Sequence, residues 1–292
     1  MKGRQYAMFA AVSAALLGSA TISSGAPANP ISACPFTISS AGTYTLVNDL
    51  TAAGDCITVD PSAGASVTVN LNGFSITGDT TGAAIIAVSP ALKKKVSVVG
   101  PGKISAFDVG VNISLFPDVT VKRLTIDNTG IGISVGQGSV YDSTITGSGF
   151  GVYTGGKSLV RNITATGNLT GIFVGPGSTV DQSTANSNAQ GILADDKSLV
   201  KNSTANGNTA NGIVVGMSGS VTQCTANNNG SAGITGNTKS DINSSTAMTN
   251  FDGIVVNCPA TVQQNTATGN TDQDIVLNGS GCTVKKNVVT GP

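Results

Sequence analysis

The chain has 292 residues, 15 basic and 15 acidic side chains, a formal net charge of +0, and neither His nor Trp. All 15 acidic residues are Asp, and charged residues make up only 10% of the chain. Without Glu and with few Lys, long helices would lack the residues that furnish their surfaces, and a balanced charge provides no general field to recruit nucleic acid.

The N-terminus reads MKGRQ, then YAMFAAVSAALLGSA, then small residues ending at Ala26-Pro27-Ala28. A basic start, an apolar stretch and a small-residue cleavage site predict a signal peptide over residues 1–28. The apolar run is short for a membrane span of about 20 residues, and no later segment is longer. The expected product starts near Asn29 and is secreted or periplasmic. Residues 29–56 are expected to form an N-terminal cap region, with Cys34 and Cys56 flanking its first strand-like piece. Five Cys in an exported chain predict disulfides. Cys34 pairs with Cys56, and Cys258 pairs with Cys282, which falls at a nearby place in the neighbouring repeat. Cys224 is left over and is expected to be a small buried filler. Lys93-Lys94-Lys95 reads as a solvated loop.

Residues 57–292 repeat. From Gly132 the units begin GISVGQGSVYDSTITGSGF, GVYTGGKSLVRNITATGNLT and GIFVGPGSTVDQSTANSNAQ, and later starts fall at Gly191, Gly212, Gly233, Gly253 and Asp274. Less regular units precede them, from Ile57, Ile85 and Val111. Each unit holds three short pieces rich in β-branched residues and separated by Gly and Asn, which are strand and turn residues. Helical repeats of this period would need apolar residues at helical spacing. Leucine-rich repeats would need recurring Leu. The remaining architecture is all-β: a single-stranded right-handed parallel β-helix of about eleven turns, with three strands per turn. At about 4.8 Å per turn the rod would be roughly 50 Å long.

Alternation within strands sorts residues into columns. Ile133, Val152, Ile172, Ile192 and Ile213 face inward on the first strand. Val140, Val160, Val180, Val200 and Val221 do so on the second. Ala165, Ala185, Ala205, Ala226 and Ala247 do so on the third, where small side chains imply a narrow corner. Asn168, Asn188, Asn208, Asn229, Asn250 and Asn270 form a turn column, because Asn tolerates the left-handed backbone and stacked amides bond from turn to turn.

These repeats resemble right-handed parallel β-helix proteins of the pectate-lyase-like superfamily. The front, CPFTISSAGTYTLVNDLTAAGDCITV followed by VTVNLNGFSITG, is similar to the N-terminal part of exported bacterial members, and the resemblance runs from about residue 34 to the end. It implies a polysaccharide or cell-surface glycan as partner. If the chain is an enzyme, it implies a lyase, hydrolase or epimerase. Pectate-lyase-like members use an Asp cluster holding calcium with an Arg or Lys base; polygalacturonase-like members use three Asp and a His. The absence of His argues against the second pattern, and Asp195-Asp196 reads as a turn. The first pattern leaves Arg161, Asp181, Lys201 and Asp142, stacked outward on the second strand, as weak catalytic candidates. A surface salt-bridge ladder is the preferred account of the same residues. No metal site is evident: calcium needs several converging oxygens, and only Asp142 and Asp181 come near each other. No complete catalytic constellation is seen, and no cofactor is evident; calcium stays possible but unsupported.

Two other outward columns stand out. Tyr153, Phe173, Leu193, Val214 and Val255 make the first strand apolar on its outer face, which calls for cover by a loop, a partner or a second copy. Alternatively, Tyr153 and Phe173 stack on sugar rings. On the third strand Thr125, Thr144, Thr164, Thr184, Thr204, Thr225, Thr246 and Thr266 form a hydroxyl array similar to those of β-solenoid antifreeze proteins. Three functional classes therefore remain open: polysaccharide binding or processing, a non-enzymatic structural or surface-interaction role, and ice binding.

Overall fold

The computed structural model describes residues 29–60, 66–87 and 95–290. The expected signal peptide (1–28) and Lys93 and Lys94 lie outside the described residues. No helix occurs among them. Every strand pairing is parallel, and each strand pairs with the equivalent strand one repeat away. The result is an all-β solenoid of about twelve turns with three strands per turn. The turn beyond the eleven expected lies at the front. Phe36–Ile38 pairs with Ile57–Val59, and Gly42–Leu46 with the strand at Val67–Asn70, so residues 29–56 already take part in the coil. Two disulfides tie neighbouring turns: Cys34–Cys56, with Cα atoms 4.7 Å apart, and Cys258–Cys282, at 5.0 Å.

The inward columns are those expected. Ile133, Val152, Ile172, Ile192 and Ile213 are fully buried, as are Val140, Val160, Val180, Val200 and Val221. Each such side chain contributes about 1.5–3 kcal/mol of burial. In the last described turn the inward side chains are exposed: Val284 is 44% exposed and Val289 50%.

Each turn closes through three corners, and each corner carries a buried polar ladder. At the corner from third to first strand, Asn188 donates its backbone N–H (2.9 Å) and its Nδ2 (3.2 Å) to Oδ1 of Asn208. Asn208 donates in the same way to Asn229, at 3.0 and 2.9 Å. The other amide hydrogen goes to the alanine column, as from Asn188 to the Ala165 carbonyl (3.1 Å) and from Asn229 to that of Ala205 (3.0 Å). Asp274 ends the ladder by accepting from Asn270 Nδ2 at 2.7 Å. The left-handed residue here is not the ladder Asn but the one before it, such as Gly167 (φ 70), Ser187 (φ 55) or Gly207 (φ 64). That residue makes the bend and leaves the Asn side chain pointing into the coil.

The repeating Gly of the G-I signature follows from this ladder. A Cβ on Gly191 would meet the Gly212 carbonyl and would stand 2.8 Å from Asn208 Nδ2 and 3.1 Å from the Ala205 Cβ. Gly, Ala and Asn columns therefore fill one narrow corner together, which is why alanines line it.

The other corners use hydroxyls. At the second corner Ser183 N–H donates to Ser203 Oγ (3.1 Å), and Cys224 N–H to Ser245 Oγ (3.1 Å). At the first, Ser158 N–H donates to Ser178 Oγ (3.0 Å) and Ser178 N–H to Ser198 Oγ (3.2 Å). Buried backbone groups that strand pairing leaves free at the bends are thereby satisfied.

Asn208→Ala strands two donors of Asn188 and removes the side-chain donor to Asn229, leaving only the backbone N–H to it. Each buried group left unsatisfied costs about 1–3 kcal/mol, so urea unfolding should show a loss of at least about 2 kcal/mol. Thr204→Ala, on the outer face of the same turn, should stay within about 0.5 kcal/mol.

Candidate functional site

The second-strand outer column is in perfect register: Tyr141, Arg161, Asp181, Lys201 and Thr222 face one another in successive turns. The backbone bends there because the next residue turns left-handed: Asp142 (φ 48), Asn162 (φ 53), Gln182 (φ 50) and Asn202 (φ 50). This sharp corner pushes those side chains outward beside the column.

Asp181 is only 9% exposed, and its carboxylate sits between two cations. Oδ2 lies 3.8 Å from Arg161 Nε and 3.9 Å from Lys201 Nζ, whose side chains are 52% and 39% exposed. Oδ1 accepts from Asn202 Nδ2 at 3.0 Å. Arg161 Nε also donates to Gln182 Oε1 at 2.9 Å. Asp142 Oδ1 accepts from Asn162 Nδ2 at 2.7 Å. Arg161, Asp181 and Lys201 are thus brought together as a ladder in which the acid is shared. Such half-exposed pairs contribute on the order of 1 kcal/mol or less. Asp142 stands apart: it lies two turns from Asp181, about 10 Å along the axis, too far to share one calcium ion. No group of three His, Cys, Asp or Glu side chains that could hold a metal ion occurs among the described residues. The corner forms a shallow depression of about 510 Å³ lined by Tyr141, Asp142, Leu159, Arg161, Asn162 and Gln182. The amide partners Asn162, Gln182 and Asn202 were missed from sequence; the signal available was their common place one residue after the charged column.

The first-strand outer face carries Ser134, Tyr153, Phe173, Leu193, Val214, Thr235 and Val255 in register, with no ionisable group save the Tyr153 phenol. Tyr153 and Phe173 are parallel, with centroids 4.9 Å apart and planes 8° from one another. Phe150 meets both edge-on, at 5.7 and 6.5 Å. Tyr153 is 38% exposed, so no described segment covers the pair. Two turns on, Asp195 and Asp196 serve the backbone: Asp195 Oδ1 accepts from Asp196 N–H and Asp196 Oδ1 from Met217 N–H.

The threonine column on the third strand is unbroken from Thr125 to Thr266. Beside it, Asn186, Asn206 and Asn227 use their side-chain oxygens to accept backbone N–H groups of the following turn, each at 2.8–2.9 Å.

Residues 109–247 match the family model for the right handed beta helix region. The chain is a right-handed parallel β-helix protein. Its fold is that of the A-module of Azotobacter vinelandii mannuronan C-5 epimerase AlgE6, with a TM-score of 0.64 and 12% identity, over 86% of this chain and 91% of that one. The periplasmic alginate epimerase AlgG aligns with a TM-score of 0.55 at 9% identity, over 85% of this chain and 76% of its own. No curated protein matches the sequence. Among the described residues no helix of this β-helix protein is long and apolar enough to cross a membrane.

Cys224 takes a serine place in the second-corner ladder, buried between Ser203 and Ser245. Its thiol bonds weakly to the carbonyls of Val200 and Thr222. Burial pushes its pKa up to about 11. At pH 8 the thiol should therefore stay protonated and unreactive toward a disulfide reagent in the folded protein, and react as a single thiol once denaturant opens the coil. Rapid labelling of the native chain would contradict this placement.

Proposed function

We propose that this β-helix protein is exported and binds polysaccharide through the aromatic platform on its first-strand face. The observation that carries the reading is the stacked Tyr153–Phe173 pair on an uncharged outer face, braced by Phe150. Stacked one turn apart, the two rings turn a rigid aromatic surface outward against which the C–H face of a sugar can pack, and aromatic faces attract such partly positive hydrogens. A bracing ring fixes the platform before the ligand arrives, which lowers the ordering cost of binding. The two disulfides fit an oxidising compartment, secreted or periplasmic. The polysaccharide-directed activities named for AlgE6 and AlgG support the substrate class. Turnover is not part of the reading: the Arg161–Asp181–Lys201 cluster is committed to holding neighbouring turns together.

A second reading rests on the eight-threonine column, whose even spacing keeps ice binding open; thermal hysteresis of the purified protein reads it directly.

Binding to a panel of acidic and neutral polysaccharides tests the main reading. The Tyr153→Ala/Phe173→Ala double variant should keep its far-UV spectrum, because both side chains point outward, and should lose about tenfold in affinity, or about 1.4 kcal/mol. Undiminished binding by that variant, or no binding to any polysaccharide, would overturn it.

A further inference from the structure

The aromatic platform runs on into a groove. Beyond Phe173 the outer column of the first strand continues as Leu193 and Val214, both half-buried. Two residues further along each strand lies a second outward row. In successive turns it reads Gly155, Gly175, Asp195, Gly216 and Asn237. Asp195 therefore stands between two glycines and its flanks are open. The space over Gly216 belongs to the carboxylate pair: a Cβ there would lie 2.5 Å from both the backbone N and Oδ1 of Asp196. The result is a groove of about 330 Å³, with Phe173 as its wall, Leu193 and Val214 as its floor, and Asp195, Asp196 and Asn237 along its polar side.

The polar side is set before any ligand arrives. Asp195 Oδ1 accepts from Asp196 N–H at 2.8 Å, and Asp196 Oδ1 from Met217 N–H at 2.7 Å. Among the described residues neither Oδ2 has a partner, and no cation forms an ion pair with either acid. Asn237 Oδ1 is occupied by Asn257 Nδ2 at 2.9 Å, which leaves the Asn237 amide hydrogens to donate. The groove thus offers two free carboxylate oxygens, which as carboxylates only accept, and one amide donor.

We propose that this groove extends the platform as a cleft for a neutral polysaccharide, and that Asp195 and Asp196 exclude polyuronates from it. A sugar stacked on Phe173 continues over Leu193 and Val214, packing its C–H face on the apolar floor. Its hydroxyls donate to the two free Oδ2 atoms, and Asn237 donates to a ring or hydroxyl oxygen. Hydroxyls suit both partners because they donate and accept. A uronate would set its own carboxylate against two carboxylates that can neither donate to it nor neutralise it. A polymer with an ammonium on each sugar meets the opposite obstacle. Lys157, Lys197 and Lys239 take the left-handed position of the bend just beyond the groove, and they outnumber its two acids. Opposed charges at the contact and behind it therefore leave the uncharged chain as the occupant, and repulsion of the wrong ligand is a general source of specificity. The proposal rests on the reading of the platform as polysaccharide-binding and names the class of chain that it accepts.

The test titrates the full chain with neutral polymers (a glucan, a mannan and a galactan), a polyuronate and a polymer of free amino sugars. At low salt, where charge discrimination is least screened, the best neutral polymer should bind at least about tenfold tighter than either charged one. Asp195→Asn/Asp196→Asn keeps a side-chain oxygen for each backbone N–H and removes both charges. That variant should keep its far-UV spectrum and bind the polyuronate more tightly, bringing it to within about threefold of the neutral polymer. Either charged polymer binding the unaltered chain as tightly as the best neutral one would overturn the proposal. So would a neutral-to-uronate ratio that the double Asn variant leaves unchanged. If Tyr153→Ala/Phe173→Ala weakens binding while that ratio ignores the two acids, the groove fails and the platform stands. If no polysaccharide of any charge binds, both fail.

Discussion

Everything in this molecule depends on one constraint: each turn must sit on the last without a slip in register. A parallel pairing shifted by one residue would turn every inward isoleucine toward water. Strand hydrogen bonds alone do not prevent this at the bends, where the backbone leaves the sheet. The buried ladders do. An Asn side chain has one acceptor oxygen and two donor hydrogens; through the Asn188–Asn208–Asn229 run each oxygen accepts from the turn before and an amide hydrogen donates to the turn after, and in Asn188 and Asn229 the second hydrogen reaches an alanine carbonyl, linking each corner to its neighbours. An Asn in that corner has no satisfactory alternative position, so the ladder sets register as well as adding stability.

The ladder then dictates the residues around it. The amide must reach the alanine carbonyl, so the third-strand side chain has to be small. The first residue of the next strand abuts the same amide, so it has to be glycine. The residue before the ladder must bend left-handed, so it is Gly, Ser, Asn or Thr. The G-I and T-A-N signatures of the repeat are therefore one packing problem written out along the chain. The left-handed residues at the second corner include Gln182, Gln223 and Gln264, which have no intrinsic liking for that conformation. They are carried by the second-corner ladder underneath, where Ser183, Cys224 and Asn265 donate their backbone N–H groups to Ser203, Ser245 and Asn287 of the next turn.

This explains what could be read from sequence and what could not. Columns whose occupants are chosen by packing repeat strictly, so the inward Ile and Val columns, the narrow alanine corner, both disulfides and the serine-like place of Cys224 were all legible. The role of Asn was legible in kind, but its backbone state was not, because the bend and the side-chain ladder fall on adjacent residues. The front turns were harder to see: their spacing varies and their strands are joined by longer connections, so Phe36–Ile38 and Gly42–Leu46 did not announce themselves as full turns. At the candidate site the stacking of Arg161, Asp181 and Lys201 followed from period alone. The amides that complete it did not, since Asn162, Gln182 and Asn202 sit where the repeat requires only a bend and where almost any polar residue would serve.

That same freedom locates function. Because the fold fixes the inner columns and the bends, only the outward positions can vary, and their variation is not random along the axis. The aromatic pair is confined to two adjacent turns of one face, the threonines run uninterrupted on another, and Arg161, Asp181 and Lys201 stack on the remaining one. A coil that only had to be soluble would scatter such residues. Three chemically distinct stripes therefore lie on one rod, each a row of contacts, one per turn, that needs no movement of the backbone. The distances between those contacts are then set by the turn spacing, which the ladders hold constant.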